Sequence, residues 1–239
     1  MRTFLVSLLL IVSVATLASA EMLVTANPIG QGKWAVEGAG LMDSGQQFSA
    51  SGVTLSSLTV TQFGGYVGYG LTDKLDLFLN AGTGSVGGFP ATILGISTAG
   101  LAVTMTSLGL NVKYQVLDEM ANSPVSVAVG AGYKSINSSV TNPTAAGGGT
   151  STSSSTQMMV GAGVSKIMAP LVPYGGLTYR STSSSGTTVA TQLDLTVGSA
   201  IAWSMQGAVL VEYTMQSITP NGGTAYSSGQ IGLGVAYKI

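Results

Sequence analysis

The sequence contains no cysteine and no histidine, and few of its residues are charged. Without cysteine, an exported chain has no disulfide framework to stabilise it. Without histidine or cysteine it also lacks the most common general base and the usual ligands of zinc. Charged residues make up 7% of the chain, against roughly 25% in typical soluble domains. These absences argue against a disulfide-rich domain, a zinc protein and an ordinary soluble enzyme.

Two further features are missing. The formal net charge is −1 and no cluster of Lys and Arg occurs, so the composition does not favour a nucleic-acid partner. Beyond the first twenty residues, no uninterrupted apolar run approaches the roughly 20 residues that a membrane-spanning helix needs. The sequence therefore predicts neither a nucleic-acid-binding protein nor a helical membrane protein.

The first twenty residues are ordered like a secretory signal peptide. Arg2 supplies the positive start, Phe4–Thr16 the apolar core, and Ala18-Ser19-Ala20 a cleavage site of small residues. We therefore expect a signal peptide over residues 1–20, a periplasmic N-terminal lead over 21–32, and a single folded domain over 33–239.

Alternation of apolar and polar residues is the main pattern of the mature chain. Phe63–Ala81 predicts two strands joined by a turn at 71–74, each with one apolar and one polar face. Only helices and closed barrels pair every backbone polar group inside a membrane. An exported, apolar and nearly uncharged chain without helical spans therefore favours a closed β-barrel.

The same pattern recurs along the chain and predicts an all-β, closed, antiparallel up-and-down transmembrane barrel. We expect about ten strands; eight or twelve stay open, since the first strand and a possible short strand at 93–96 are weakly patterned. Short periplasmic turns and longer outer loops are typical of such barrels. The expected turns are 71–74, 117–123, 168–171 and 204–206, and the expected loops are 43–54, 86–98, 137–155, 181–187 and 217–224.

Polar residues on the face opposite the apolar one are expected in the lumen. With no His or Cys, a nucleophile would depend on Lys, Asp or Glu as its base, and we expect these groups to pair with one another rather than to catalyse. We expect no catalytic residue, no metal site and no cofactor. The lumen residues are Glu37, Gln62, Asp76, Asn80, Asn111, Lys113, Lys134, Arg180, Gln192, Asp194 and Glu212.

Aromatic residues are expected to form two girdles at the membrane surfaces, because their amphipathic rings prefer the interface. The periplasmic girdle would contain Trp34, Tyr69, Tyr114, Trp203 and Tyr237, and the outer girdle Tyr133, Tyr179, Tyr213 and Tyr226.

The hairpin YGLTDKLDL at 69–77 and the last strand QIGLGVAYKI at 230–239 resemble those of the small bacterial outer-membrane β-barrel superfamily, which includes opacity-type and porin-like barrels. The last strand there is an assembly signal that usually ends in Phe, whereas this chain ends in Ile239. The resemblance implies an outer-membrane location, membrane lipid as a partner, and barrel-assembly machinery that engages the C-terminal strand.

Several functions remain open at this stage. The leading one is a non-enzymatic integral barrel, structural or surface-exposed, with a narrow passive pore for small solutes as one version of it. About ten strands lie close to the size at which side chains alone fill a barrel. A surface adhesin that presents its loops and a soluble secreted β-sandwich are the alternatives.

The assigned faces can be tested on the strand with the clearest alternation. Leu195→Arg puts a cation in mid-strand on the expected lipid face and should lower the free energy of unfolding by about 2–4 kcal/mol. Gln192→Arg, on the lumen face, should cost less. Urea titration of refolded protein in lipid measures both changes, and equal losses would contradict the assignment.

Overall fold

The computed structural model describes residues 25–50, 53–90, 92–93, 96–98, 100–121, 123–142 and 149–239. The predicted signal peptide and the first four residues of the predicted lead lie outside the described residues. Twelve strands and one short 3₁₀ helix, Glu119–Ala121, are described. The strands are β1 Trp34–Ala50, β2 Val53–Gly70, β3 Leu75–Gly87, β4 Thr92–Ile93, β5 Ile96–Ser97, β6 Ala102–Leu117, β7 Ser126–Asn142, β8 Gly149–Ser165, β9 Leu171–Ser184, β10 Thr187–Ala202, β11 Gly207–Pro220 and β12 Tyr226–Lys238.

Ten of these strands form one closed antiparallel barrel in the order β1-β12-β11-β10-β9-β8-β7-β6-β3-β2, and β4 and β5 form a separate two-residue hairpin. The barrel closes where β1 pairs with β12, from Ala35 opposite Lys238 to Ser44 opposite Gly229. This confirms the predicted fold and strand number and rules out the β-sandwich. In the described part of the chain, no helix is long and apolar enough to cross a membrane.

The two ends of the barrel carry different connections. We call the end with β1's first residue and β12's last residue the terminal end; its connections are 71–74, 118–125, 166–170 and 203–206. The opposite end, the loop end, has the connections 51–52, 88–101, 143–148, 185–186 and 221–225.

Most of the predicted loops are strand, which corrects the sequence-based boundaries. The predicted loop 43–54 is largely β1 and β2, and the predicted loop 137–155 is largely β7 and β8. What separates these strands, residues 51–52 and 143–148, lies outside the described residues. The expected short strand at 93–96 is instead the hairpin of β4 and β5, and its residues 94–95 are likewise not described. Only the connection 88–101 is long.

The outward face nearer the terminal end is a continuous apolar belt. On β6 the outward apolar residues run from Leu108 to Val116, and every intervening inward residue is buried. Nine residues match the roughly 9–11 that a tilted strand needs to cross a bilayer. The large exposed side chains of this belt include Val36, Met42, Phe63, Val67, Leu79, Leu108, Leu110, Val112, Val129, Met158, Val160, Val164, Leu177, Leu193, Leu195, Val197, Val209, Val211, Met215, Ile231, Leu233 and Val235.

Beyond the belt, toward the loop end, the outward residues change to Ser and Thr. On β8 the change falls between Met158 and Thr156, and strand continues to Gly149. At about 3.3 Å per residue, tilted by roughly 40°, residues 149–157 extend about 20 Å past the belt. We call this surface the collar: Thr59, Thr61, Thr83, Ser85, Thr104, Thr106, Ser135, Asn137, Ser139, Thr141, Thr150, Thr152, Ser154, Thr156, Ser181, Ser183, Thr191, Ser217, Thr219 and Ser227.

The interior changes polarity at the same level. Inside the belt the lumen is mainly polar, whereas inside the collar a buried apolar cluster, which we call the loop-end cluster, predominates beside a few buried polar side chains such as Asp43, Ser138 and Ser155. A polar exterior around an apolar interior is the arrangement of a protein in water, and the reverse is the arrangement of a barrel in lipid. The level therefore marks the edge of the hydrocarbon. The cluster contains Leu58, Val60, Val86, Val103, Met105, Ile136, Val140, Ala190 and Ile218.

The level of this edge can be tested within one strand and one face. Leu195 lies in the belt, and Thr191 lies four residues nearer the loop end on the same face of β10. Leu195→Arg should cost about 2–4 kcal/mol in unfolding free energy and Thr191→Arg about 1 kcal/mol or less, because the penalty of a cation falls away at the interface. Urea titration in lipid vesicles measures both. Comparable losses would mean that the hydrocarbon reaches the collar.

Candidate functional site

The N-terminal segment enters the terminal end of the barrel, which the sequence did not indicate. Residues 25–30, which we call the plug, lie on one side of the lumen and reach from β8 to β3, which only β7 and β6 separate in the wall. At one wall the buried Ala26 donates its backbone N–H to the Ser165 hydroxyl at 3.0 Å. At the other, the Ile29 N–H lies 3.1 Å from each carboxylate oxygen of Asp76. The plug is therefore anchored at two points of the barrel wall, on β8 and on β3.

A predicted pair of lumen charges holds the plug in place. Asp76 and Lys113 lie 3.2 Å apart as a buried ion pair between β3 and β6. The Lys113 Nζ also donates to two plug carbonyl oxygens, those of Asn27 at 2.8 Å and Thr25 at 3.2 Å. Both charged groups thus also form hydrogen bonds with the plug backbone. These hydrogen bonds offset part of the free-energy cost of removing the two charges from water.

Two glycines of β2 allow the plug to pack closely against the wall. A Cβ on Gly70 would lie 2.0 Å from the Gly30 carbonyl oxygen, and one on Gly68 would lie 2.5 Å from Ile29 Cδ1. Any side chain at these positions would displace the plug. Gly68 and Gly70 in YVGYG thus leave the space on the inward face of β2 in which the plug packs.

A cavity of about 250 Å³ lies beside the plug at the terminal end. Its wall is partly apolar, with Val172, Ala200 and Leu210 near Lys238. Deeper in, the Tyr174 hydroxyl donates to Glu212 Oε2 at 3.1 Å, next to the apolar residues Ala200 and Leu210. The plug thus occupies one side of this mouth and the cavity the other.

The middle of the lumen is filled by a network around a second buried ion pair. Arg180 Nε donates to Asp194 Oδ2 at 2.6 Å, and Gln192 Nε2 donates to Asp194 Oδ1 at 2.7 Å. Gln157 extends the network, since its Nε2 donates to the Thr182 hydroxyl at 3.1 Å. A carboxylate that accepts hydrogen bonds from a guanidinium and an amide at once recovers much of the free energy that its removal from water costs. This layer is a structural crosslink between β8, β9 and β10.

The loop end of the lumen is closed by the loop-end cluster. Leu58, Val60, Ile136 and Ile218 each have 0% of their surface exposed. Phe89 and Leu101, from the long connection 88–101 at the loop end, pack against the cluster. The lumen is therefore filled mainly by apolar side chains where it would have to open to the outside.

The structure places all eleven predicted lumen residues at inward positions. Nine are buried, and Glu37 and Glu212 are half-buried near the terminal end. It joins Asp76 with Lys113 and Arg180 with Asp194, but these two pairs belong to separate layers. Asp43, predicted in a loop, is buried in the lumen. The inward glutamines that the prediction did not include are Gln115, Gln157, Gln216 and Gln230, and the parity of the predicted strands themselves would have found them.

Eight of the nine predicted girdle residues lie on the outward face. Trp34 and Tyr69 pair across β1 and β2 with ring centroids 4.7 Å apart. Tyr226 is the exception: it shares its parity with the buried Gln230 and packs inside, against the loop-end cluster. The girdle assignment of Tyr226 was wrong because it considered the position along the strand and ignored the face.

The described residues contain no group of three or more acidic, His or Cys side chains that could hold a metal ion. Among the interactions of the described interior are the ion pairs Asp76–Lys113 and Arg180–Asp194, beside several amides and the apolar loop-end cluster.

Comparisons with known proteins agree with this description. The sequence matches no family model and no curated protein. The fold resembles the translocator domain of the autotransporter NalP from Neisseria meningitidis (TM-score 0.50, 12% identity, 99% of this chain and 95% of that one). It also resembles the β-domain of the Bordetella autotransporter BrkA (TM-score 0.50, 12% identity, 88% and 100%). The N-terminal barrel of Pseudomonas aeruginosa OprF shows 16% identity over 88% and 99%, with a TM-score of 0.38.

The chain has the fold of a bacterial outer-membrane β-barrel protein. The apolar belt independently indicates a membrane barrel, because such an exposed apolar surface is stable only in lipid. The two neighbours with a TM-score of 0.50 share this barrel fold.

The middle layer offers a direct test of how dry the lumen is. Asp194→Asn leaves Arg180 buried without its anion and should lower the free energy of unfolding by about 3–5 kcal/mol. Asp73→Asn, in the exposed turn 71–74, changes the same group and should stay within about 0.5 kcal/mol. Urea titration of the refolded variants measures both. A loss near that of the control would show that water reaches Arg180.

Proposed function

We propose that this protein is a non-enzymatic, structural barrel of the outer membrane that does not conduct solutes in the state described. The observation that supports the proposal is obstruction at three successive levels: the plug, the Arg180–Asp194 layer and the loop-end cluster. A ten-stranded barrel is narrow enough for side chains to fill it.

The loop-end cluster is the strongest obstacle to a solute. A hydrated ion that crossed it would leave its water for a space lined by Leu58, Ile136, Ile218 and similar side chains. Hydrophobic constrictions of this kind stop conduction by dewetting. The plug is a second and independent obstacle, since hydrogen bonds of 3.0 and 3.1 Å hold it to two wall strands, β8 and β3.

A narrow passive pore is the second candidate, and one observation favours it. Several buried polar atoms have no protein partner, among them both amide atoms of Asn80 and of Asn111, and Nε2 of Gln62. Buried polar groups of this kind are usually satisfied by ordered water. Such water would wet the middle of the lumen, and a pore would then need only its two ends to open.

A surface role through long loops has little support. At the loop end only the connection 88–101 is long, and its sequence has no charged residue and one aromatic, Phe89. Binding hot spots favour Trp, Tyr and Arg. Catalysis is equally unsupported, since the lumen acids and bases are engaged with one another and no His or Cys occurs.

The proposed partners are membrane lipid, around the belt, and the barrel-assembly machinery, through β12. β12 closes the barrel against β1, and the backbone N–H of Ile239 donates to the Trp34 carbonyl at 2.8 Å. A strand that must pair last is well placed to be held by an assembly factor until closure.

Conductance in planar bilayers tests the closed state. Wild-type protein should give no current at high loading. A variant that lacks residues 25–32 should stay silent, because the loop-end cluster persists. Adding Leu58→Ser, Ile136→Ser and Ile218→Ser to that deletion, together with Arg180→Ser and Asp194→Ser in the middle layer, removes all three obstacles and should open a measurable path.

Heat-modifiable gel mobility, checked on each sample, confirms that the barrel is folded. Reproducible single-channel steps from the wild-type protein would overturn the closed state in favour of the pore. Steps from the plug deletion alone would show that the loop-end cluster does not block.

A further inference from the structure

The collar has a composition that neither a lipid-facing nor an ordinary aqueous surface requires. Its outward side chains are hydroxyls and one amide, on strands β2, β3 and β6–β12. The segments that build the loop-end half of the barrel, residues 44–62, 82–106, 135–157, 181–191 and 215–230, contain no Asp, Glu, Lys or Arg. A soluble surface normally carries about 25–35% charged residues. The outward face of the loop-end half is thus both polar and free of charge.

The position of the collar determines which layer of the membrane it contacts. It begins where the apolar belt ends, so its lower rows lie in the headgroup layer of the same lipid leaflet that covers the belt. The loop end has the longest connection, which in outer-membrane barrels faces outward. The collar therefore lies against the headgroups of the outer leaflet.

The chemistry of the collar selects among headgroup components. Phosphates and anionic sugars are bound by Lys and Arg, and the collar has neither. Neutral sugars present hydroxyl groups that both donate and accept, and so do Ser and Thr. Strand geometry sets these side-chain hydroxyls in a grid of about 4.8 Å between strands and about 7 Å along them. Many weak contacts on such a grid add up through effective concentration.

The tyrosines of the outer girdle extend this surface from the collar toward the belt. A Cβ on Gly229 would lie 2.5 Å from the Tyr213 hydroxyl, so the phenol of Tyr213 lies over Gly229 and points toward the collar. Tyr133 and Tyr179 occupy the same boundary on β7 and β9, next to the first collar residues, Ser135 and Ser181. Their rings add an amphipathic edge to the hydroxyl grid.

We infer that the collar is a binding surface for the neutral saccharide part of outer-leaflet glycolipid. Contact is by hydrogen bonds from Ser and Thr hydroxyls, with the tyrosines at the boundary, and it ties the projecting half of the barrel to the sugar layer around it. This inference does not depend on whether the lumen conducts.

The test compares one protein in two lipids that differ only in sugar. Vesicles contain either lipopolysaccharide with its full saccharide chain or the same lipid truncated to its phosphorylated lipid A part. Wild-type protein should unfold at a higher urea concentration in the first than in the second. A variant with Thr104→Val, Thr106→Val, Thr152→Val and Thr156→Val should lose most of that difference, because each change removes only a hydroxyl from the collar.

The matched control replaces the same four threonines by serine, which keeps every hydroxyl and should keep the difference. Comparing the two lipids for each variant cancels any effect of valine on stability or on depth in the membrane. An equal urea midpoint for the wild type in both lipids would overturn the inference, even if the valine variant did not fold. An undiminished difference in a folded valine variant would overturn it as well.

Discussion

Backbone hydrogen bonding in a medium without water is the constraint on which this structure depends. Inside hydrocarbon every N–H and C=O must find a partner in the protein, and ten strands achieve this only by closing β1 on β12. Closure fixes an inside and an outside, and the period of two along each strand then assigns every residue to one of them. The apolar belt, the polar lumen and the girdles all follow from that assignment.

The interior shows how such a barrel keeps charges at low cost. Each buried ion pair has further partners: Asp76 and Lys113 bind the plug backbone, and Asp194 accepts from Gln192 as well as from Arg180. Because their hydrogen-bonding capacity is taken up in this way, these carboxylates and cations act as structural crosslinks between strands. The sparse charge of the chain is thus concentrated in the lumen and at the terminal end, and the loop-end half has none on its surface.

Sequence reasoning was most successful inside the membrane and least successful above it. On β7 the apolar residues are odd-numbered up to Tyr133, and then Ile136 and Val140 are even-numbered. This change of parity looks like the end of a strand, although the backbone continues to Asn142. The strand does not stop; the medium around it changes from lipid to water, and the apolar side chains turn inward. Asp43 was missed because the predicted loop begins at residue 43, whereas β1 continues to Ala50.

The sequence by itself determined the class and the faces, since these depend on local alternation between lipid and lumen, and it favoured about ten strands. It also placed most of the inward charges. Only the tertiary structure fixed the strand number at ten and decided which charges pair, that residues 25–30 occupy one side of the terminal mouth, and that mainly apolar side chains close the other end. These outcomes depend on the stagger of ten strands around a cylinder, which brings residues far apart in the chain to one level, and no local pattern records that stagger.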